Sequence, residues 1–174
     1  MELSGNTTIN KLIMLFVFDK MDFPIMEDTV FNLCTMSNSW ISWMECKETV
    51  AQLLETGFIY QSVHENKVYY SITPDGRMCL SHFYTRIPSS LRAEITEYVK
   101  ENRMSFRRKQ EYFRNYYKNA DGSYTVQLKI MDPAQTMLEI KLNVSNRHIA
   151  KLVYNKWEEK AAQVFYSLHE QLVD

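Results

Sequence analysis

The stretch from Ser42 to Phe83 constrains the fold most, because each junction in it carries its own boundary signal. Ser42 is followed three residues later by Glu45, a pairing in which each side chain satisfies a backbone N–H at a helix start. Ile41 and Cys46 are placed to close an apolar staple across it. Val50, Leu53 and Leu54 continue the apolar face, and Gly57 supplies a left-handed stop. Phe58–Val63 and Lys67–Ile72 are rich in aromatic and β-branched residues and flank a tight turn at Glu65-Asn66, which predicts a hairpin. Thr73 then caps another helix with Pro74 in its first turn. Met78, Cys79, Leu80 and Phe83 are expected to form its inward face.

Upstream, Ile9, Leu12, Ile13, Phe16 and Val17 recur at helical spacing after caps at Asn6, Thr7 or Thr8, so a first helix is expected to end near Lys20. Pro24 pushes Phe23 out of the helical region, which makes Phe23-Pro24-Ile25 extended. Thr29–Met36 reads as a second helix with Val30, Leu33 and Cys34 inward and Asp28 in the dipole-favoured first turn. Three helices, a hairpin and a following helix are the order of a winged helix-turn-helix. The run Leu53-Leu54-Glu55-Thr56-Gly57-Phe58-Ile59 resembles a recognition helix entering its wing. Tyr70-Ser71-Ile72-Thr73-Pro74-Asp75-Gly76-Arg77 resembles the strand-to-helix exit of PadR-like bacterial regulators. The whole chain also resembles an uncharacterised bacterial family, domain-of-unknown-function family 4364, through Asn10-Lys11-Leu12-Ile13, the Asp22-Phe23-Pro24-Ile25 step and its length. That resemblance implies a winged-helix-like fold and no particular activity.

In the second half, Pro88 with Ser89 or Ser90 as cap opens a long helix carrying Leu91, Ile95, Tyr98 and Val99, expected to end between Glu101 and Lys109. Tyr112–Lys118 is an aromatic-rich strand, and Asp121-Gly122 is a hairpin turn. Tyr124, Val126, Leu128 and Ile130 alternate with Thr125, Gln127 and Lys129. After a turn at Asp132-Pro133-Ala134, Leu138, Ile140, Leu142 and Val144 alternate with Glu139, Lys141 and Asn143. One apolar face per strand calls for one covering layer. The last helix, capped by Ser145 or Asn146, supplies it with Ile149, Leu152, Val153, Trp157, Ala161, Val164, Leu168 and Leu172. About 27 residues at 1.5 Å each make it roughly 40 Å long, more than a three-stranded sheet needs. The excess is expected to cover the first domain or a second subunit.

The fold expected is therefore α+β: a winged helix-turn-helix over residues 1–86, a linking helix over 87–111, and over 112–174 a three-stranded antiparallel sheet covered by a long helix. The last part is a dimerisation, effector-sensing or scaffolding module.

Charge is distributed unevenly. Residues 1–85 carry 5 Lys/Arg against 10 Asp/Glu, residues 86–120 carry 9 against 4, and residues 121–174 carry 6 against 7. The positive charge thus lies outside the helix that would read DNA. Candidate contacts to double-stranded DNA are Ser39, Ser42, Lys47 and Gln52 around the third helix, and His64, Asn66 and Lys67 in the wing. Arg103, Arg107, Arg108 and Lys109 form the basic cluster, read either as phosphate or acidic-partner contacts or as a solvated helix end. One lysine against Glu45, Glu48 and Glu55 is a thin phosphate-binding set, since backbone attraction supplies most affinity in such proteins. Candidate interface residues are Trp40, Trp43, Tyr112, Tyr116 and Trp157. Core packing is the competing reading of Trp40 and Trp43.

No enzyme constellation is visible. His64, His82, His148 and His169 stand alone, no zinc-like spacing or glycine-rich phosphate loop occurs, and no catalytic residue, metal or cofactor is expected. Cys34, Cys46 and Cys79, an odd and widely spaced set, suit core packing in a reducing compartment. With a polar start and no membrane-spanning run, a cytoplasmic protein without a membrane partner is expected. Two functions follow: a homodimeric DNA-binding transcriptional regulator acting on palindromic sites, or a protein-interaction module that has lost DNA binding. The first needs the basic residues of the middle segment beside the third helix. The second needs Trp40 or Trp43 exposed on an acidic face.

Overall fold

The computed structural model describes residues 3–132 and 135–173, and in them the chain is α+β. Pro133 and Ala134 of the expected turn lie outside the described residues. The chain divides into two compact units, Met1–Met104 and Ser105–Asp174.

The first unit is built around helix α1, Leu3–Met21. Every residue from Leu12 to Phe18 is buried, as expected of a helix that is apolar all round. It packs against the helices Trp43–Glu55 and Pro74–Phe83 and the strand Lys67–Ile72. The helix starts before the expected caps, so Asn6, Thr7 and Thr8 lie inside it. Asp22, at φ 57, then turns the chain into β1, Ile25–Met26. Helix α2, Glu27–Phe31, begins two residues earlier than expected and continues as a π-helical segment, Asn32–Ser37. Val30, Leu33 and Cys34 are buried, as their spacing predicts.

Helix α3 is Trp43–Glu55, and its reciprocal cap is complete: Ser42 Oγ accepts from Glu45 N, and the Glu45 carboxylate accepts from Ser42 N. Gly57 has φ 73, the left-handed stop. Strands β2, Ile59–His64, and β3, Lys67–Ile72, pair antiparallel through a two-residue turn at Glu65 and Asn66. Both turn residues have positive φ, 53 and 62, as the tight hairpin turn that matches strand twist requires. β1 pairs with the other edge of β3, giving the order β1-β3-β2.

Thr73 caps α4, Pro74–Phe83, with Pro74 in the first turn. Its inward face is Gly76 and Leu80, with Cys79 half-buried, whereas Met78 and Phe83 are exposed. The reason is the close approach at Gly76, where an added Cβ would sit 2.1 Å from the Phe58 carbonyl oxygen. That contact turns the 76–80 edge inward, and Met78 lies about 200° around the helix from Gly76.

Helix α5, Ser89–Glu111, runs past the expected end and leads directly into the strand that begins at Tyr112. The division between units falls within it. Its earlier part buries Ile95 and Val99 in the first unit.

The second unit holds the antiparallel sheet β4-β5-β6: Tyr112–Lys118, Tyr124–Met131 and Thr136–Val144. Helix α6, Arg147–Leu172, is capped by Asn146, whose side chain accepts from Ile149 N. Val126, Leu128, Ala150, Trp157 and Ala161 form the core between helix and sheet. The buried edge of α6 differs from the expected one: Ala150 replaces Ile149, and Ile149, Leu152 and Leu172 are exposed. Lys129, expected on a solvated face, is buried with its ammonium 5.4 Å from the Phe113 ring centroid. No helix of the described residues is long and apolar enough to cross a membrane.

Candidate recognition surface

Helix α3 presents Thr49, Val50, Leu53 and Cys46 to the core, so its outer arc is Trp43, Met44, Lys47, Glu48, Ala51 and Glu55, all exposed. Trp43 is 54% exposed and Met44 70%. Lys47 Nζ lies 3.9 Å from the Trp43 ring centroid. A cation held over an indole face is already partly satisfied, so the one lysine of this helix is engaged along the helix. The hairpin also exposes Tyr60, Val63, Glu65, Asn66 and Lys67, with Tyr60 and Val63 on opposite faces of β2. On the outer arc of α3, Lys47 stands against Glu48 and Glu55, so the arc is apolar with an acidic balance.

Several expected DNA contacts have other duties. Ser42 is consumed by its cap, its Oγ donating to Glu45 Oε2 at 2.5 Å. Ser39, at φ 55, closes the turn after the π segment, its N–H donating to Thr35 O at 3.2 Å. Gln52 and His64 are half-buried, and Gln52 Oε1 and His64 Nε2 are buried with no hydrogen-bond partner. Asn66 and Lys67 are exposed at the hairpin turn.

In the basic cluster, Arg103 donates from Nε to the Met21 carbonyl at 2.6 Å, which ties α5 to the end of α1. Arg107 pairs with Glu111 at 2.7 Å, four residues on. That ion pair holds the Arg107 guanidinium above its ordinary range, the hydrogen bond first and the charge second. Arg108 and Lys109 are exposed. Of the four, Arg103 alone belongs to the same unit as α3.

The aromatic candidates divide. Trp40 is half-buried against α5, its Nε1 donating to Glu94 Oε1 at 2.9 Å and its ring edge-on to Tyr98 at 5.6 Å. Trp157 is 3% exposed, with Nε1 donating to Lys129 O at 3.3 Å. Tyr112 and Tyr116 pack on that same core. Trp157 is thus enclosed in the core of its unit, while Trp40, Tyr112 and Tyr116 are half-buried, each packed within its own unit. Trp43 is the most exposed of the five.

Met44, exposed on the outer arc of α3, is not among the sequence candidates. Met44 could have been found, because it repeats four residues before Glu48 and eight before Gln52 on the polar side of α3. Cys34 and Cys46 are buried together. The hydrogen bond to Cys46, and then burial, hold the Cys34 thiol well above its ordinary range. Among the described residues, no three His, Cys, Asp or Glu side chains are grouped as metal ligands.

Comparison with the curated proteins and with the solved structures returned no match. The profile of the family described as domain of unknown function (DUF4364) matches residues 10–172, nearly the whole length, and the chain belongs to that family.

Proposed function

We propose that residues 1–104 form a winged helix-turn-helix unit whose α3 surface docks a protein segment rather than duplex DNA. The order α1-β1-α2-α3-β2-β3, with β1 joining the free edge of β3, supports the winged-helix reading. The observation that carries the docking reading is the exposure of Trp43 and Met44 at the start of α3, with Lys47 drawn over the indole. Tryptophan and methionine are enriched at protein interfaces. Phosphate binding instead needs several unengaged cations. The occupant that fits is a segment with apolar anchors flanked by Lys or Arg, complementary to Glu48 and Glu55. Unit 1 as a whole carries 9 Lys/Arg against 13 Asp/Glu.

Fold topology favours a second reading, a homodimeric transcriptional regulator that uses α3 and the hairpin on double-stranded DNA, since this order of elements serves that role in many proteins. Titration of the purified protein into a pool of duplexes from its own genome, at several salt concentrations, separates the two. The docking reading expects no saturable binding even at low salt. Saturable binding that falls steeply with salt, and is weakened by Lys47→Ala and Lys67→Ala, would establish the second reading in its place.

A further inference from the structure

We infer that the β6 edge of the second unit is a two-fold interface between copies of this chain, joining two three-stranded sheets into one of six strands. The inference is independent of what α3 binds.

β6 is a nine-residue edge strand with no proline, and β5 pairs with one side of it. Such an edge offers a row of backbone donors and acceptors to another chain unless it is blocked. Its cover is also incomplete. Arg114 of β4 reaches the Tyr154 carbonyl at 3.0 Å and Glu158 at 3.5 Å, which places that flank of α6 over β4. Accordingly α6 packs mainly on β4 and β5 and only lightly on β6. Leu142, on the helix-facing side of β6, is left 42% exposed. Ile149 and Leu152, on the opposite flank of α6 from Tyr154 and Glu158, are 37% and 45% exposed. A second copy of β6 paired along this edge would set its own Leu138 beside Leu142.

The sequence of β6 selects the register. If two copies pair antiparallel about Ile140, Leu138 faces the partner's Leu142 on the helix side. On the other side Glu139 faces the partner's Lys141, and Lys141 the partner's Glu139. Within one chain Glu139 and Lys141 are 3.8 Å apart, and Gln127 holds Glu139 at 2.9 Å, so both charges stand on one face ready for this exchange. Centring the pair on Glu139 or on Lys141 would set like charges against each other, which is unfavourable. A shift by one residue would put the two helices on opposite faces of the sheet. The other edge lacks this self-complementarity, because β4 paired about Asn115 sets Arg114 against Tyr116 and Tyr112 against Lys118. Closure about a two-fold leaves the free β4 edges at the ends and produces a dimer rather than a filament.

The test is sedimentation of the full chain across the micromolar range, with circular dichroism to verify that each variant folds. The wild-type chain is expected to dimerise. Glu139→Lys should raise the dissociation constant by roughly tenfold or more, as two opposite-charge pairs become two like-charge pairs. Adding Lys141→Glu should restore dimerisation, since the exchanged charges again match. Ile140→Cys should give a disulfide-linked dimer on oxidation, because directly opposed strand residues lie about 4.5–5.5 Å apart, within disulfide reach. A chain that stays monomeric throughout, a dimer indifferent to Glu139→Lys, a charge exchange that fails to restore it, or no Ile140→Cys cross-link would each overturn the proposal.

Discussion

Gly76 offers a sharp test of how the first unit is held together, because two general rules predict opposite outcomes there. Replacing a glycine in a helix with alanine ordinarily stabilises by about 0.8–1 kcal/mol. At Gly76 the new Cβ would lie 2.1 Å from Phe58 O and 2.9 Å from Ile72 Cγ1. A backbone carbonyl does not swing aside like a side-chain tip. This one also accepts from Thr73 N at 3.0 Å, while Thr73 Oγ1 donates to Gly57 O at 2.7 Å. Backing α4 away would stretch both bonds, at about 1 kcal/mol each, and crowding adds about 1–3 kcal/mol. Against the propensity gain, Gly76→Ala should destabilise by about 2–4 kcal/mol. In a unit of this size that lowers Tm by at least about 8 °C. The assay is urea denaturation followed by circular dichroism, where a lower midpoint at unchanged slope reports stability alone. Asp75→Ala, one residue earlier and exposed, should stay within about 0.5 kcal/mol. A Gly76→Ala chain as stable as the wild type or more so would refute the claim that this approach positions α4.

Two further predictions concern the same unit. Ser42→Ala removes the side chain that both accepts from Glu45 N and donates to Glu45 Oε2, and should lower stability by about 1 kcal/mol in the same denaturation assay. Tyr70 is held above its ordinary pKa by burial first and by its hydrogen bond to Glu27 second. The folded state therefore keeps the phenol proton more tightly than the unfolded state does. This contribution is complete below the ordinary tyrosine pKa of about 10 and is lost as pH rises beyond it. Melting scans from neutral to alkaline pH should show Tyr70→Phe flattening that loss.

Local signals made the first unit legible. The Ser42–Glu45 cap, Gly57, the Glu65-Asn66 turn and the Thr73-Pro74 start each act within a few residues, and each marks its boundary in the structure. The capping and hairpin rules needed no knowledge of distant partners. The facing of α4 and α6 was less legible. Met78 and Phe83 are as apolar as Leu80, and Ile149 and Leu152 as apolar as Val153. Which edge is buried was decided by small residues, Gly76 in α4 and Ala150 and Ala161 in α6, that allow close approach to elements remote in sequence. The recognition surface was legible in composition but not in exposure. The two tryptophans beside Ser42 look alike in sequence. Glu94 and Tyr98, more than fifty residues away, draw in Trp40 and leave Trp43 in solvent.

The measurement that bears most directly on the function proposed for α3 is a peptide-display selection on the intact protein, run in parallel on the Trp43→Ala variant. Peptides with apolar anchors flanked by Lys or Arg should be enriched on the wild-type chain. They should be lost on the variant, which should keep wild-type circular dichroism because Trp43 is mostly outside the core. Enrichment that survives Trp43→Ala, or a selection that yields no basic apolar peptides, would contradict the proposed function.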